Sequence, residues 1–456
     1  MPATWTTEQI LALAPDASSA KAGKSLATLR KWQVLGQNEQ VIWGECQGSG
    51  KNPYQAQIEL SEPAFRCSCP SRKFPCKHGL GLLLLFEAQT NAFIFNSPPA
   101  WVTAWLASRS QRAEKQAQKQ AQKERSDAVA DPAAQARRLA QRQAKLTAGL
   151  QDLERWLQDL IRHGLATAQN QPYSFWDGPA ARLVDAQAPG LARQLREMAG
   201  IPRSGTGWPD RLLERLGRVH LLIEGFRRLE ALPPNVQADI RAGIGWTQKL
   251  GDGDQGPSDG VQSQSLIPNP QSLVDRWSVL GQRTEDQERL RVQRTWLWGQ
   301  NSGQSALSLH FAVANQPLDT SLIPGTCLEA ELAFYPSNYP LRALVQQRQG
   351  LPLPLDDLPG YSNLGVALAE YAKALACNPW LEQFPLALNQ VIPLRQAETW
   401  AVRDETGHLL PLAPNFVQGW QLLALSGGQP LSLFGEWNGE TLLPLSAWAE
   451  GRFIRF

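Results

Sequence analysis

Phe65-Arg66-Cys67-Ser68-Cys69-Pro70-Ser71-Arg72-Lys73-Phe74-Pro75-Cys76-Lys77-His78 is the stretch on which the reading of this chain turns. Three cysteines and a histidine fall as C-x-C, a six-residue gap, then C-x-H. Tetrahedral zinc takes four donors of this kind, thiolate sulfur and imidazole nitrogen. Pro70 and Pro75 stiffen the turns between the donors, and Ser71 is small and polar. The apolar run Gly79-Leu80-Gly81-Leu82-Leu83-Leu84-Leu85-Phe86 follows at once and predicts a helix, with the last two donors at its mouth. Ahead of the knot, Tyr54 to Leu60 has the alternation of a strand. Cys67, Cys69, Cys76 and His78 are therefore the candidate metal ligands, and Zn2+ is the expected ion. Other uses of cysteine fit less well. A C-x-C pair bridges only with strain, a redox pair is more typically C-x-x-C, and buried structural thiols need no histidine beside them.

At all four positions, and in the flanking strand and helix, the pattern resembles the SWIM zinc finger. That finger carries C-x-C, a variable gap and C-x-H on a short β-hairpin followed by a helix. Over roughly residues 1–90 the chain is similar to the N-terminal module of bacterial SWIM-finger proteins. The resemblance implies binding to DNA or to proteins. It also implies work alongside MoxR-type AAA+ ATPases and von Willebrand A domain proteins.

A length of 456 residues predicts two or three domains, and a hydrophobic fraction of 43% supplies a sizeable core. The formal charge of +2 gives no global preference for an acidic or basic partner, so any electrostatic signal is local. Six cysteines, three of them in the knot and the rest isolated at Cys46, Cys327 and Cys377, argue against a disulfide framework. The N-terminus shows no signal-peptide pattern, and no apolar run approaches a membrane span. A cytoplasmic location with no membrane partner is the expectation.

The chain reads as an α+β multidomain protein: an N-terminal α/β zinc-finger module, a helical middle and a mostly β C-terminal domain. The expected divisions are 1–98, with the finger at about 54–90, then a basic Ala/Gln/Lys-rich connector at 99–130. A helical domain over 131–248, a linker over 249–270 and the β domain over 271–456 complete the chain. In the first module, helices are predicted from Thr6 or Thr7 through Leu13 and from Ser18 to Lys31, then strands at Gln40–Cys46 and Tyr54–Leu60. The Gly-rich turn between those strands lacks the glycine spacing and the Ser/Thr of a phosphate loop. From Arg109 to Lys145, ten basic residues against four acidic ones leave +6, with almost nothing to bury. This stretch reads as an exposed helix or connector, with a nucleic-acid contact strip as the alternative.

From an Asp131-Pro132 cap, Leu139, Leu146, Leu150, Leu153, Trp156, Leu157 and Leu160 recur at helical spacing up to Arg162-His163-Gly164. Further helices are expected at Pro179–Met198, Pro209–Leu229 and Asn235–Ala242. Gly251 to Gly260 is acidic and Gly-rich but fails the EF-hand register, with Pro257 at the sixth position and Ser263 at the twelfth. Strands follow at Arg291–Trp298, Ala306–Val313 and Cys327–Tyr335, then a helix at Tyr361–Cys377. Three hairpins are expected at the end, turning at Glu405-Thr406-Gly407, Gly427-Gly428 and Asn438-Gly439.

No catalytic motif is present: G-x-S-x-G and H-E-x-x-H are absent. A four-ligand site has no open position for water, which is the structural pattern of zinc. The chain is therefore expected to be non-catalytic. Its first reading is a zinc-held interaction adaptor or scaffold in a larger assembly, with a protein partner. The alternative is a DNA- or RNA-binding protein that uses Arg66, Arg72, Lys73 and Lys77 around the ligands, together with the basic stretch.

Overall fold

The computed structural model describes residues 5–48, 52–60, 64–71, 73–111, 132–246, 271–287, 290–313, 316 and 318–456. The glycine-rich turn, most of the basic stretch, the acidic loop at 251–260 and Arg72 lie outside the described residues. The architecture is α+β: an N-terminal α/β region, a helical middle and a C-terminal part built of antiparallel sheets.

In the first region α1 (Thr7–Ala12) starts on a capping box, with Thr6 and Gln9 exchanging side-chain and backbone bonds. Next, α2 (Ala17–Leu26) is capped by Asp16. It ends short of the predicted Lys31, because Trp32 opens the strand β1 (Trp32–Gln37) and sends its indole N–H back to the Leu26 carbonyl. The sheet is completed by β2 (Val41–Cys46), β3 (Tyr54–Glu59), β4 (Ala64–Cys67) and the short β5 (Ile94–Phe95), in the order β4-β3-β2-β1-β5. Between β4 and β5 runs α3 (Lys77–Ala88), whose Leu80 and Leu82–Phe86 are all buried against Trp32, Ile42 and Ile58. It crosses α2 at close range: a Cβ on Gly23 would meet Leu80 Cβ at 2.8 Å, and one on Gly81 would meet Leu26 Cβ at 2.7 Å. Residues 100–111 form α4, which packs Val102 and Trp105 on Val41 and Trp43 of the same sheet. Arg109 on α4 pairs with Glu59.

The helical middle consists of α5 (Pro132–His163), α6 (Ser174–Asp185), α7 (Pro189–Met198), α8 (Trp208–Arg227) and α9 (Pro234–Ile244). The leucine ladder of α5 faces Trp176, Leu191, Leu195, Leu216 and Ile223 in one core. The single helix expected over 179–198 is two helices. Gln187 takes a positive φ of 61°, and Pro189, which cannot donate to a continuing helix, opens the second.

The C-terminal part has two antiparallel sheets. The first contains the 17-residue β6 (Gln271–Gln287), β7 (Leu290–Gly299), β8 (Ser305–Val313), β9 (Thr326–Phe334) and β10 (Ala343–Pro354), ordered β10-β9-β6-β7-β8. After α10 (Leu364–Cys377) comes the second. It holds β11 (Phe384–Gln396), β12 (Thr399–Arg403), β13 (Leu409–Pro411), β14 (Leu431–Trp437), β15 (Leu442–Ala449) and β16 (Arg452–Arg455). The Asn-Gly and Thr-Gly hairpins form as expected. Leu422–Leu425 is not a strand but part of α11 (Gly419–Ser426), and Gly427 caps it at φ +53° instead of turning a hairpin. The sheets meet through Leu280 and Trp296 on one side and Phe434 and Leu445 on the other. Beneath them Glu436, 1% exposed, accepts from Trp296 Nε1 at 2.7 Å and Arg294 Nε at 3.0 Å, and also pairs with Arg283.

Both flanking regions rest on this β part. Gln9 Nε2 donates to the Gly325 carbonyl at 2.6 Å, and Ile323 joins the N-terminal core. On the other side Trp380 enters the helical core and donates to the Arg218 carbonyl at 3.1 Å. Asp239 of α9 accepts from the Asn338 backbone N–H at 2.9 Å and from Asn378 Nδ2 at 3.0 Å.

Candidate metal centre

Cys67 is the last residue of β4, Cys69 lies two residues on, Cys76 is the N-cap of α3 and His78 sits in its first turn. The β3–β4 pairing continues into the knot, where Ser68 N–H donates to the Gln55 carbonyl and Gln55 N–H to Ser68 Oγ, both at 2.9 Å. A strand end and a helix start are thus brought face to face. The three sulfurs and one imidazole nitrogen lie within 4.8 Å of one another. Cys76 and His78 are buried, and Cys67 and Cys69 are half-buried.

The donor set fits a zinc ion. Zn–S near about 2.3 Å and Zn–N near about 2.0 Å at a tetrahedral angle set the S···N edge at about 3.5 Å; Cys67 Sγ lies 3.7 Å from His78 Nδ1. The proton balance points the same way. Hydrogen bonding with Cys67 draws the Cys76 thiol down to about 4 against its burial, with His78 and the Gly79 N–H assisting. The same contact, together with burial, pushes Cys67 up, and burial pushes Cys69 up. A bound dication is what lets converging thiols ionise together.

The surroundings hold more than the sequence showed. Tyr54 packs on His78 with ring centroids 4.8 Å apart and the planes tilted by 39°, and Phe65 meets Phe74 edge to face. Lys73 pairs with Asp16 at 2.7 Å and so ties the knot to the cap of α2. That contact, with Ser18 and Ser19 adding, holds the Asp16 carboxyl well below the usual carboxylate range. Asp16 and Lys73 are far apart in sequence, and nothing local signals the pair. Of the basic residues expected to touch nucleic acid, Arg66 on β4 and Lys77 at the start of α3 are exposed, and Lys73 is exposed but held by Asp16. Cys46 is buried in β2 outside the cluster, its thiol pushed up by burial.

A second group, Glu154, His220 and Glu224, brings three donors together on α5 and α8. The Arg227 guanidinium already bonds both carboxylates, 3.0 Å from Glu154 Oε1. With Arg228 3.9 Å from Glu224 Oε2, two guanidiniums balance the two carboxylates without an ion.

The knot is thus a metal site of the zinc-finger class, four protein donors on a hairpin end and a helix start. Residues 64–86 match the SWIM zinc finger, and residues 141–244 match the SWIM-associated four-helix bundle domain. One polypeptide thus carries a region matching the SWIM zinc finger and a region matching the helical bundle associated with it. Searches of curated proteins and of solved structures returned no match. No helix among the described residues is long and apolar enough to cross a membrane.

Proposed function

We propose that this protein is a non-catalytic adaptor whose finger is a structural Zn2+ centre and whose C-terminal β part docks a protein partner. The observation that carries the reading is a patch at the β12–α11 edge. Trp420 is 62% exposed and Val417 85% exposed. Trp400 meets Trp420 edge to face at 5.1 Å, and the Arg395 guanidinium lies 5.2 Å over the Trp420 ring. Exposed tryptophan with stacked arginine is the composition of interface hot spots, and water is a poor neighbour for it. Around the finger, by contrast, Lys73 is already neutralised by Asp16. With four donors the zinc centre offers no site for water or substrate, which supports a structural role. A reducing, cytoplasmic setting would keep its thiols available as ligands.

The partner the family resemblance implies is a MoxR-type AAA+ ATPase, and that is the first to test. Biolayer interferometry of the full chain against such an ATPase should give saturable binding that weakens at least tenfold in Trp420→Ala, with unchanged zinc content. Absence of binding to the ATPase removes that partner. Salt-sensitive binding of DNA or RNA that falls when Arg66 and Lys77 are neutralised would replace the adaptor reading with the nucleic-acid one.

A further inference from the structure

The finger module and the β part enclose a cavity of about 690 Å3. Small-molecule sites run from roughly 300 to 1,000 Å3 and concentrate at domain boundaries. Leu60, Phe86 and Phe95 form one wall, and Leu328, Leu351 and Leu353 of β9 and β10 form the other. Phe95 and Leu353 remain 68% and 49% exposed at the edge. Among the described residues Arg276 on β6 is the one cationic side chain lining the cavity, and it is half-buried. Its guanidinium donates to Cys327 Sγ at 3.2 Å, a weak acceptor. Glu329 and Asp356 act on it only at longer range. Most of its fork of N–H donors is therefore left for a ligand. The lining carboxylates Glu39 and Glu329 are exposed, so water screens them.

We propose that this cavity binds a small amphipathic carboxylate, its apolar chain between the leucine and phenylalanine walls and its anionic head on Arg276. A planar carboxylate matches the guanidinium fork in shape and charge. A neutral apolar guest would desolvate that cation without pairing it. The ligand touches both walls, so its binding also clamps the finger module to the β part and raises the unfolding midpoint by linkage.

The test uses the zinc-loaded full chain with decanoate and decanol as probes, titrated by calorimetry below their micellar or solubility limits. Decanoate is expected to saturate one site per chain at least tenfold more tightly than decanol. Arg276→Gln should bring decanoate down to the level of decanol. Leu353→Trp, which fills the cavity from a half-exposed position and leaves Arg276 intact, should weaken both probes at least tenfold. Equal affinity of the two probes, no saturable binding, or full decanoate affinity in either variant overturns the proposal. So does preference for an apolar peptide with a free C-terminus over decanoate, which would make the cavity a protein-docking site.

Discussion

Replacing Cys76 by serine removes the donor that stands at the cap of α3 and carries the most thiolate character. Structural zinc supplies about 10–16 kcal/mol of apparent free energy through four ligands. An even share per ligand is about 2.5–4 kcal/mol, or about 60- to 700-fold in zinc affinity. The structural consequence is local, because the knot and α3 are held by different forces. Leu80 and Leu82–Phe86 of α3 are buried in the module core, and each such side chain contributes about 1.5–3 kcal/mol. That apolar anchor is as large as the metal's whole contribution. In the knot, by contrast, the described residues from Ser68 to Phe74 are exposed or half-buried. Cys76→Ser is therefore expected to purify with far less than one zinc per chain and to lose a chelator competition by about 60-fold or more. It should keep nearly all its far-UV helix signal, and hydrogen exchange should accelerate over 68–76 while α3 stays protected. Cys46→Ser, buried outside the cluster, should retain full zinc. Stoichiometric zinc in Cys76→Ser refutes the ligand set; global loss of the N-terminal fold refutes the claim that the core anchors α3 without the metal.

Gly81→Val places two methyls where Leu26 already stands and should destabilise the α2–α3 crossing by about 1–3 kcal/mol in urea unfolding. Glu436→Gln leaves two arginines without their buried counter-charge. It should cost about 3–5 kcal/mol in chemical denaturation, a larger loss than any surface ion pair here would give. Asp239, raised by burial from the ordinary 3.8 to about 6, binds its proton more readily folded than unfolded. Its contribution to stability is therefore most favourable below about pH 4 and is lost as pH rises through about 6, by at most about 3 kcal/mol. Asp239→Asn should flatten that segment of the stability-versus-pH curve, and an unchanged slope would assign it to another group.

What could be read from the sequence was what the chain specifies over a dozen residues. The finger was legible because its four donors lie within a twelve-residue span, Cys67 to His78, and their spacing alone fixes the chemistry. The α5 ladder was legible because Leu146 to Leu160 repeats at one helical period, and the Asn438-Gly439 turn because that dipeptide favours one hairpin geometry. Leu422–Leu425 failed for the matching reason. A four-residue apolar run has no period of its own, and a Gly-Gly pair ends a helix as readily as it turns a hairpin. The strand β1 was missed because Trp32 earns its place by packing on Ile42 and α3, which no local pattern announces.

The same distinction separates the metal centre from the other two sites. Asp16 with Lys73, Trp400 with Trp420, and Arg276 with the module's Phe86 and Phe95 are each joined only by folding. The cavity in particular exists because Gln9 and Ile323 seat the module against the β part. The core-held α3 presents Phe86 to the cavity from the end away from the knot, and Arg276 stands on the far side. Because the core holds α3 without the metal, zinc loading and carboxylate binding should be nearly independent, with a coupling factor near one. Titrating decanoate into zinc-loaded and zinc-stripped protein measures that factor. A ratio far from one would mean that the metal sets the cavity wall through α3, and would refute the separation of the knot from the core.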